Sequence, residues 1–191
     1  WVMLHEYNIS QKVDIIVRHF RENIAGMLGG TAKAMIVTSS RKHALRYYQA
    51  IERYTAKHGY DDVHALVAFS GKVIVSGEDT DIAPDDLLHE GEYTEASVNT
   101  GTKGKPLDEV LNGPAYQVMI VANKYQTGFD QPLLCAMYVD KRLDGVMAVQ
   151  TLSRLNRTWA GKDKVYVLDF VNKGEDILKA FLPYYEGAQI E

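Results

Sequence analysis

The sequence predicts one α/β domain built on a parallel sheet, and three observations point there. Short apolar runs alternate with segments of helical periodicity, the connections between them are brief, and the rhythm recurs in both halves of the chain. At 191 residues the chain is long enough to bury roughly 70% of its unfolded surface around a single core. No internal repeat or low-complexity tract interrupts the pattern.

From Asn8 to Leu28, residues Ile9, Val13, Ile16, Val17, Phe20, Ile24 and Met27 fall at helical spacing. Asn8 or Ser10 caps the start, and Gly29-Gly30 supplies the stop. Ala34–Val37 reads as a strand ending in Thr38-Ser39-Ser40. A second helical pattern runs through Ala44, Leu45, Tyr48, Ile51 and Tyr54 to Gly59, and Val63–Phe69 reads as the next buried strand. The stretch 71–114, rich in Gly, Asp, Glu, Thr and Asn, breaks the rhythm and is expected to be an irregular insertion with helical candidates at Tyr93–Asn99 and Leu107–Leu111, a solvated spacer in preference to a contact surface for another domain. Beyond it, Tyr116–Ala122 and Leu133–Val139 read as strands, Val146–Asn156 as a helix and Val165–Phe170 as a strand. Asp176–Leu182 reads as a last helix, within a C-terminal helix and tail over 174–191.

The composition, 46% hydrophobic and 24% charged, excludes disordered, collagen-like and coiled-coil classes. The single Cys135 cannot form an internal disulfide, which makes a reducing cytoplasm the expected compartment. No apolar run approaches the roughly 18 residues of a membrane span, and the first residues lack the pattern of a signal peptide. With no initiator Met, the expectation is a piece of a longer protein.

Several familiar chemistries fail on spacing. The pairs Gly71-Lys72, Gly104-Lys105 and Gly161-Lys162 all lack the upstream glycine and following hydroxyl of a phosphate loop. Neither G-x-G-x-x-G nor G-x-S-x-G occurs. Asp79, Asp81 and Glu90 outline a calcium loop, but Ala83 and Pro84 replace a ligand and the turn glycine, so no metal site is expected.

Two segments carry chemistry. Val121–Pro132 leaves a buried strand, turns at Gly128 and presents Asp130; alone, it reads equally as a simple turn and as a ligand loop at a strand's carboxyl end. In Val146–Asn156 the apolar face comprises Val146, Val149, Leu152 and Leu155, so Gln150, Arg154 and Arg157 share another face at steps of four and three. Two guanidiniums on one spot suit a phosphate, whereas alone the segment reads as a basic helix end favoured by the helix dipole.

Together, Thr127-Gly128-Phe129-Asp130-x-Pro132, a strand, and Gln150-x-x-x-Arg154-x-x-Arg157 resemble motifs V and VI of superfamily 2 helicases. Val37–Arg41 resembles motif IV, and Ala68–Gly71 sits where the next strand end of that family falls. The wording of Ala122–Pro132, with Tyr138–Lys141, Gln150–Arg157 and Val167–Phe170, is similar to the restriction (R) subunit of type I restriction enzymes, over about Val13–Tyr185.

The resemblance implies a RecA-like parallel sheet flanked by helices, the second of two motor domains that hold ATP with Mg²⁺ between them. The phosphate loop and Mg²⁺ ligands would lie on the first domain. It makes Arg157 the arginine finger, Arg154 its companion on the phosphates and Gln150 a link to the opposite domain. Asp130 would accept from the ribose, with Gly128 letting the loop approach. Thr127 and Thr38, Ser39, Ser40 and Arg41 would touch the DNA backbone. Ser153 and Asn156 stand where many helicases of this superfamily have glycine, which fits the R-subunit wording and weakens other matches.

The implied partners are double-stranded DNA, the first RecA-like domain, and the modification and specificity subunits, in an ATP-dependent DNA translocase and endonuclease. The alternatives are a type III restriction or repair helicase fragment, and a non-catalytic RecA-like scaffold whose arginines are tied into internal salt bridges. The formal net charge of −4 does not oppose phosphate chemistry. Residues 76–98 hold eight acids and no Lys or Arg, leaving 21 basic against 17 acidic residues elsewhere.

Overall fold

The computed structural model describes residues 8–76, 88–125 and 129–187. Among these described residues the strands are β1 (Lys33–Thr38), β2 (Ala65–Ala68), β3 (Lys72–Val75), β4 (Gly91–Thr94), β5 (Val118–Ala122), β6 (Leu134–Asp140) and β7 (Tyr166–Asp169). Five of them form a parallel sheet in the order β2-β5-β1-β6-β7, and β3 and β4 pair separately as an antiparallel hairpin.

Both faces of the sheet are covered, which is why its central strands read as continuous apolar runs. Ala34, Ile36, Ile120 and Tyr138 point to one core, with α1 (Ile9–His19) and α2 (Arg41–His58) packed over it. Met35, Val37, Met119 and Val139 point to the other, under α4 (Leu107–Asn112) and α5 (Gly145–Leu152).

Asn8 caps α1, its side chain accepting from Gln11 N while Gln11 reaches back to Asn8 N. The predicted helix to Leu28 stops being α-helical at His19; Phe20–Ile24 is a π turn, and Leu28 itself takes a left-handed φ of 52°. Ser40 caps the start of α2, and Gly59 closes it as expected at φ 66°, where it adopts the left-handed cap without a Cβ penalty.

The expected helix Val146–Asn156 is corrected in two respects. Its α-helical part ends at Leu152 and a 3₁₀ turn, Ser153–Asn156, follows. Its buried face is Ala148, Thr151, Leu152 and Leu155, while Val146 is 57% exposed. The final helix, α6 (Gly174–Gly187), is longer than predicted, and residues 188–191 lie outside the described residues.

The stretch expected to be an irregular, solvated spacer folds against the body in its described parts. Beyond the hairpin, α3 (Glu95–Val98) and a 3₁₀ turn lead to α4. Asn99 is buried against the sheet edge, its Oδ1 accepting from Val67 N at 3.0 Å and its Nδ2 donating to Val67 O at 2.7 Å. One side chain thus does for β2 what a neighbouring strand would do, satisfying backbone groups that would otherwise be stranded. Residues 77–87, with Asp79, Asp81, Ala83 and Pro84, lie outside the described residues. No helix among the described residues is long and apolar enough to cross a membrane.

Candidate functional site

The sequence-predicted residues fall into two groups. The first lies at the carboxyl ends of β1, β5 and β6, where the register places Thr38 beside both Ala122 and Asp140. Thr38 was expected on the DNA backbone but is fully buried, and its hydroxyl donates to Val121 O at 2.9 Å; it ties β1 to β5 instead of reaching outward. Ser39, Ser40 and Arg41 are exposed. Ser40 Oγ caps α2 by accepting from His43 N, Ser39 Oγ lies 2.9 Å from His43 Nδ1, and Arg41 donates to Ser70 O at 3.1 Å.

Beneath this loop is a charge network that sequence reasoning missed. Asp140, at the end of β6, accepts from Lys12 Nζ at 2.8 Å and Tyr47 Oη at 2.7 Å, and His43 Nε2 lies 3.2 Å away. Burial alone would raise this carboxyl, but the hydrogen bonds from His43, Lys12 and Tyr47 outweigh it and hold Asp140 well below the usual carboxylate range. The His43 ring therefore links the exposed Ser39 to a buried, ionised carboxylate. No local spacing announces this, because four of its members come from α1, α2 and β6.

The loop after β5 is held from both sides. Asn123 and Tyr125 both adopt left-handed φ, near 58° and 59°. Between them Lys124 pairs with Glu95 at 2.7 Å, and the same Glu95 accepts from Phe69 N at 2.9 Å. Glu95 thus joins the inserted segment to the ends of β2 and β5. Gln126, Thr127 and Gly128 lie outside the described residues.

The second group gathers where the chain enters β6. Asp130 and Arg157, from the two segments singled out by sequence, meet as an ion pair, Nε of Arg157 to Oδ1 of Asp130 2.9 Å, at 71% and 57% side-chain exposure respectively. Arg157 follows the 3₁₀ turn with extended backbone, φ −66° and ψ 127°, so the predicted straight row of Gln150, Arg154 and Arg157 on one helix face is corrected. Gln150 is exposed on α5. Arg154 is only 7% exposed, and its Nη1 is buried without a hydrogen-bond partner among the described residues. Burial and then the neighbouring Arg157 guanidinium push it below its ordinary value. Lys162, another residue missed in the sequence, donates to both Pro132 O and Arg157 O and clamps the two segments together. Among the described residues no group of three or more His, Cys, Asp or Glu could hold a metal ion.

Residues 97–172 match the family model described as type I restriction enzyme subunit R domain 3. The chain is 26% identical over 190 residues, 98% of its length, to the type I restriction enzyme MjaIXP endonuclease subunit of Methanocaldococcus jannaschii, of which it covers 16%. It is also 26% identical over 158 residues, 80% of its length, to the HindI endonuclease subunit of Haemophilus influenzae, of which it covers 14%. A solved fragment of an HsdR subunit of a type I restriction enzyme from Vibrio vulnificus superposes over 88% of this chain and 29% of that one, with a TM-score of 0.51 at 12% identity, and shows the shared fold. The chain thus spans only about a sixth of the curated relatives it matches. The chain is similar to the R subunits of type I restriction enzymes, and its parallel sheet flanked by helices is the fold it shares with the Vibrio fragment.

Proposed function

We propose that this chain is the second RecA-like domain of an ATP-driven DNA translocase within a type I restriction R subunit, and that Arg154 and Arg157 serve ATP held against a first motor domain. The observation that carries this reading is Arg154, a buried guanidinium with no carboxylate partner among the described residues, beside an exposed Arg157. An uncompensated buried cation costs several kcal/mol, about what an arriving anion would offset. A buried guanidinium unpaired in this way fits an incoming phosphate.

ATP with Mg²⁺, when bound, would supply the phosphoryl bond whose hydrolysis drives motion. Arg157 would stabilise the negative charge that spreads over the γ-phosphate oxygens, and Arg154 would bind the adjoining oxygens. Gln150 would carry the change to the facing domain, and Asp130 would accept from the ribose. Ser39, Ser40 and Arg41, with Thr127, would hold the DNA backbone, while Gly128 lets the loop approach. Because the arginines and the phosphate loop would lie on different domains, hydrolysis requires the cleft to close. The modification and specificity subunits would select the DNA.

The scaffold reading predicts both arginines in internal salt bridges. Among the described residues only Arg157 has one, and an exposed pair of that kind contributes about 0–1 kcal/mol, small enough to be exchanged for a phosphate. The motor reading is therefore favoured. The test is Arg154→Gln in the full-length subunit. Nucleotide affinity and hydrolysis should both fall while the fold melts at an unchanged or higher temperature. Full ATP affinity and turnover would overturn the assignment.

A further inference from the structure

A polar cavity of about 330 Å³ opens at the carboxyl ends of β6 and β7, away from the two arginines of the ATP site. Its wall carries the cations Arg142, Lys173 and Lys179 against the carboxylates Asp144 and Asp176. The wall is built with care. Asn172, itself buried, accepts from Leu143 N at 2.9 Å and donates to Lys141 O at 2.8 Å, and its backbone N donates to Asp169 Oδ1 at 2.7 Å. That one side chain locks the loop after β6 to the loop after β7 and fixes the space between their cations.

The register places the cavity on the same edge as the loop Ser39–Arg41. Thr38 of β1 is level with Asp140 of β6, and Val139 of β6 with Asp169 of β7. Two strand spacings amount to about 10 Å, the axial rise of about three successive phosphates along one DNA strand. We propose that the Arg142–Lys173–Lys179 cavity binds a phosphate of the DNA backbone, extending the track from the Ser39–Arg41 loop across β6 to β7. The inference rests on the motor reading above.

Charge and chemistry both fit. Arg142 and Asp144 are 3.5 Å apart with both side chains nearly fully hydrated, at 78% and 79% exposure, so the pair is loose and a phosphate can replace the carboxylate. Glu175 and Asp176 in the first turn of α6 offset its dipole, so the three side-chain cations carry the recognition, not the helix end. The lining holds no aromatic ring on which a base could stack. Contacts of this kind position a duplex without reading its sequence.

The test is the double variant Arg142→Gln/Lys173→Gln in the full-length subunit, with Lys173→Gln alone as a milder companion and Arg41→Gln in parallel. Duplex affinity is measured across a salt series, and KM for ATP without DNA is measured alongside. The expected result is a plot of log affinity against log salt whose slope is shallower by about one unit, equally on unrelated duplexes, with KM for ATP unchanged. If Arg41→Gln lowers the slope and the cavity variants do not, the cavity proposal falls and the motor reading stands. If none of the variants alters DNA binding, both fall. A loss confined to one sequence, or a changed KM for ATP with an unchanged slope, would also overturn the cavity proposal.

Discussion

Arg157 Nε lies 2.9 Å from Asp130 Oδ1, an ion pair that joins the end of the α5 segment to the loop that enters β6. If Asp130 orients the ribose, Asp130→Ala in the full-length subunit raises KM for ATP and leaves kcat nearly unchanged. If Asp130 only holds Arg157 away from the cleft, the same variant lowers KM. Steady-state kinetics at saturating DNA separate the two, and a lowered KM would remove Asp130 from the nucleotide site.

Asp140 makes the fold acid-sensitive. Its carboxyl is held below the unfolded value of about 3.9, so its stabilisation is complete above that pH and is lost as pH falls toward the folded value. Asp140→Asn, which strands Lys12 beside a neutral amide, should cost about 3–5 kcal/mol near neutrality. It should also flatten the stability profile below about pH 4. Urea titrations of both proteins from pH 7 to pH 3 check this; parallel profiles would mean that the network does not set the acid limit.

Asn99 seals the edge of β2, so Asn99→Ala should destabilise by about 1–3 kcal/mol through the unsatisfied Val67 backbone groups. The bared strand edge should also promote association of the variant, visible as light scattering during refolding. A variant equal to the parent in denaturation midpoint and scattering would show that water replaces the amide without cost.

Glu95 is expected to act on Phe69 and Lys124 separately. Glu95→Gln keeps an acceptor for Phe69 N but loses the ion pair, whereas Glu95→Ala loses both. Amide hydrogen exchange at Phe69 should therefore speed up in the alanine variant and change little in the glutamine one. Equal acceleration in both would assign the protection to the ion pair.

The architecture was legible because its causes are local. The apolar runs of β1, β5 and β6 are buried on both sides, and Ser40 and Gly59 delimit α2 by their own conformational preferences. The hairpin of β3 and β4 escaped because Gly91–Thr94 is short, glycine-led and half exposed, with no apolar alternation. Asn99 gains its meaning from Val67, 32 residues away, and Asp140 from Lys12 on α1 and His43 and Tyr47 on α2. Of the candidate site, the meeting of Asp130 with Arg157 brings the two recognised segments together in space. The row of Gln150, Arg154 and Arg157 does not survive, because the helix tightens to 3₁₀ after Leu152 and turns Arg157 out of line.

The most direct test is the ATP hydrolysis rate of the full-length subunit carrying Arg157→Ala, measured with saturating duplex DNA. A finger arginine predicts a fall in kcat on the order of a thousandfold or more, with ATP binding and the melting temperature retained. Turnover within a few-fold of the parent would contradict the role assigned to Arg157 and, with it, the motor reading of this domain.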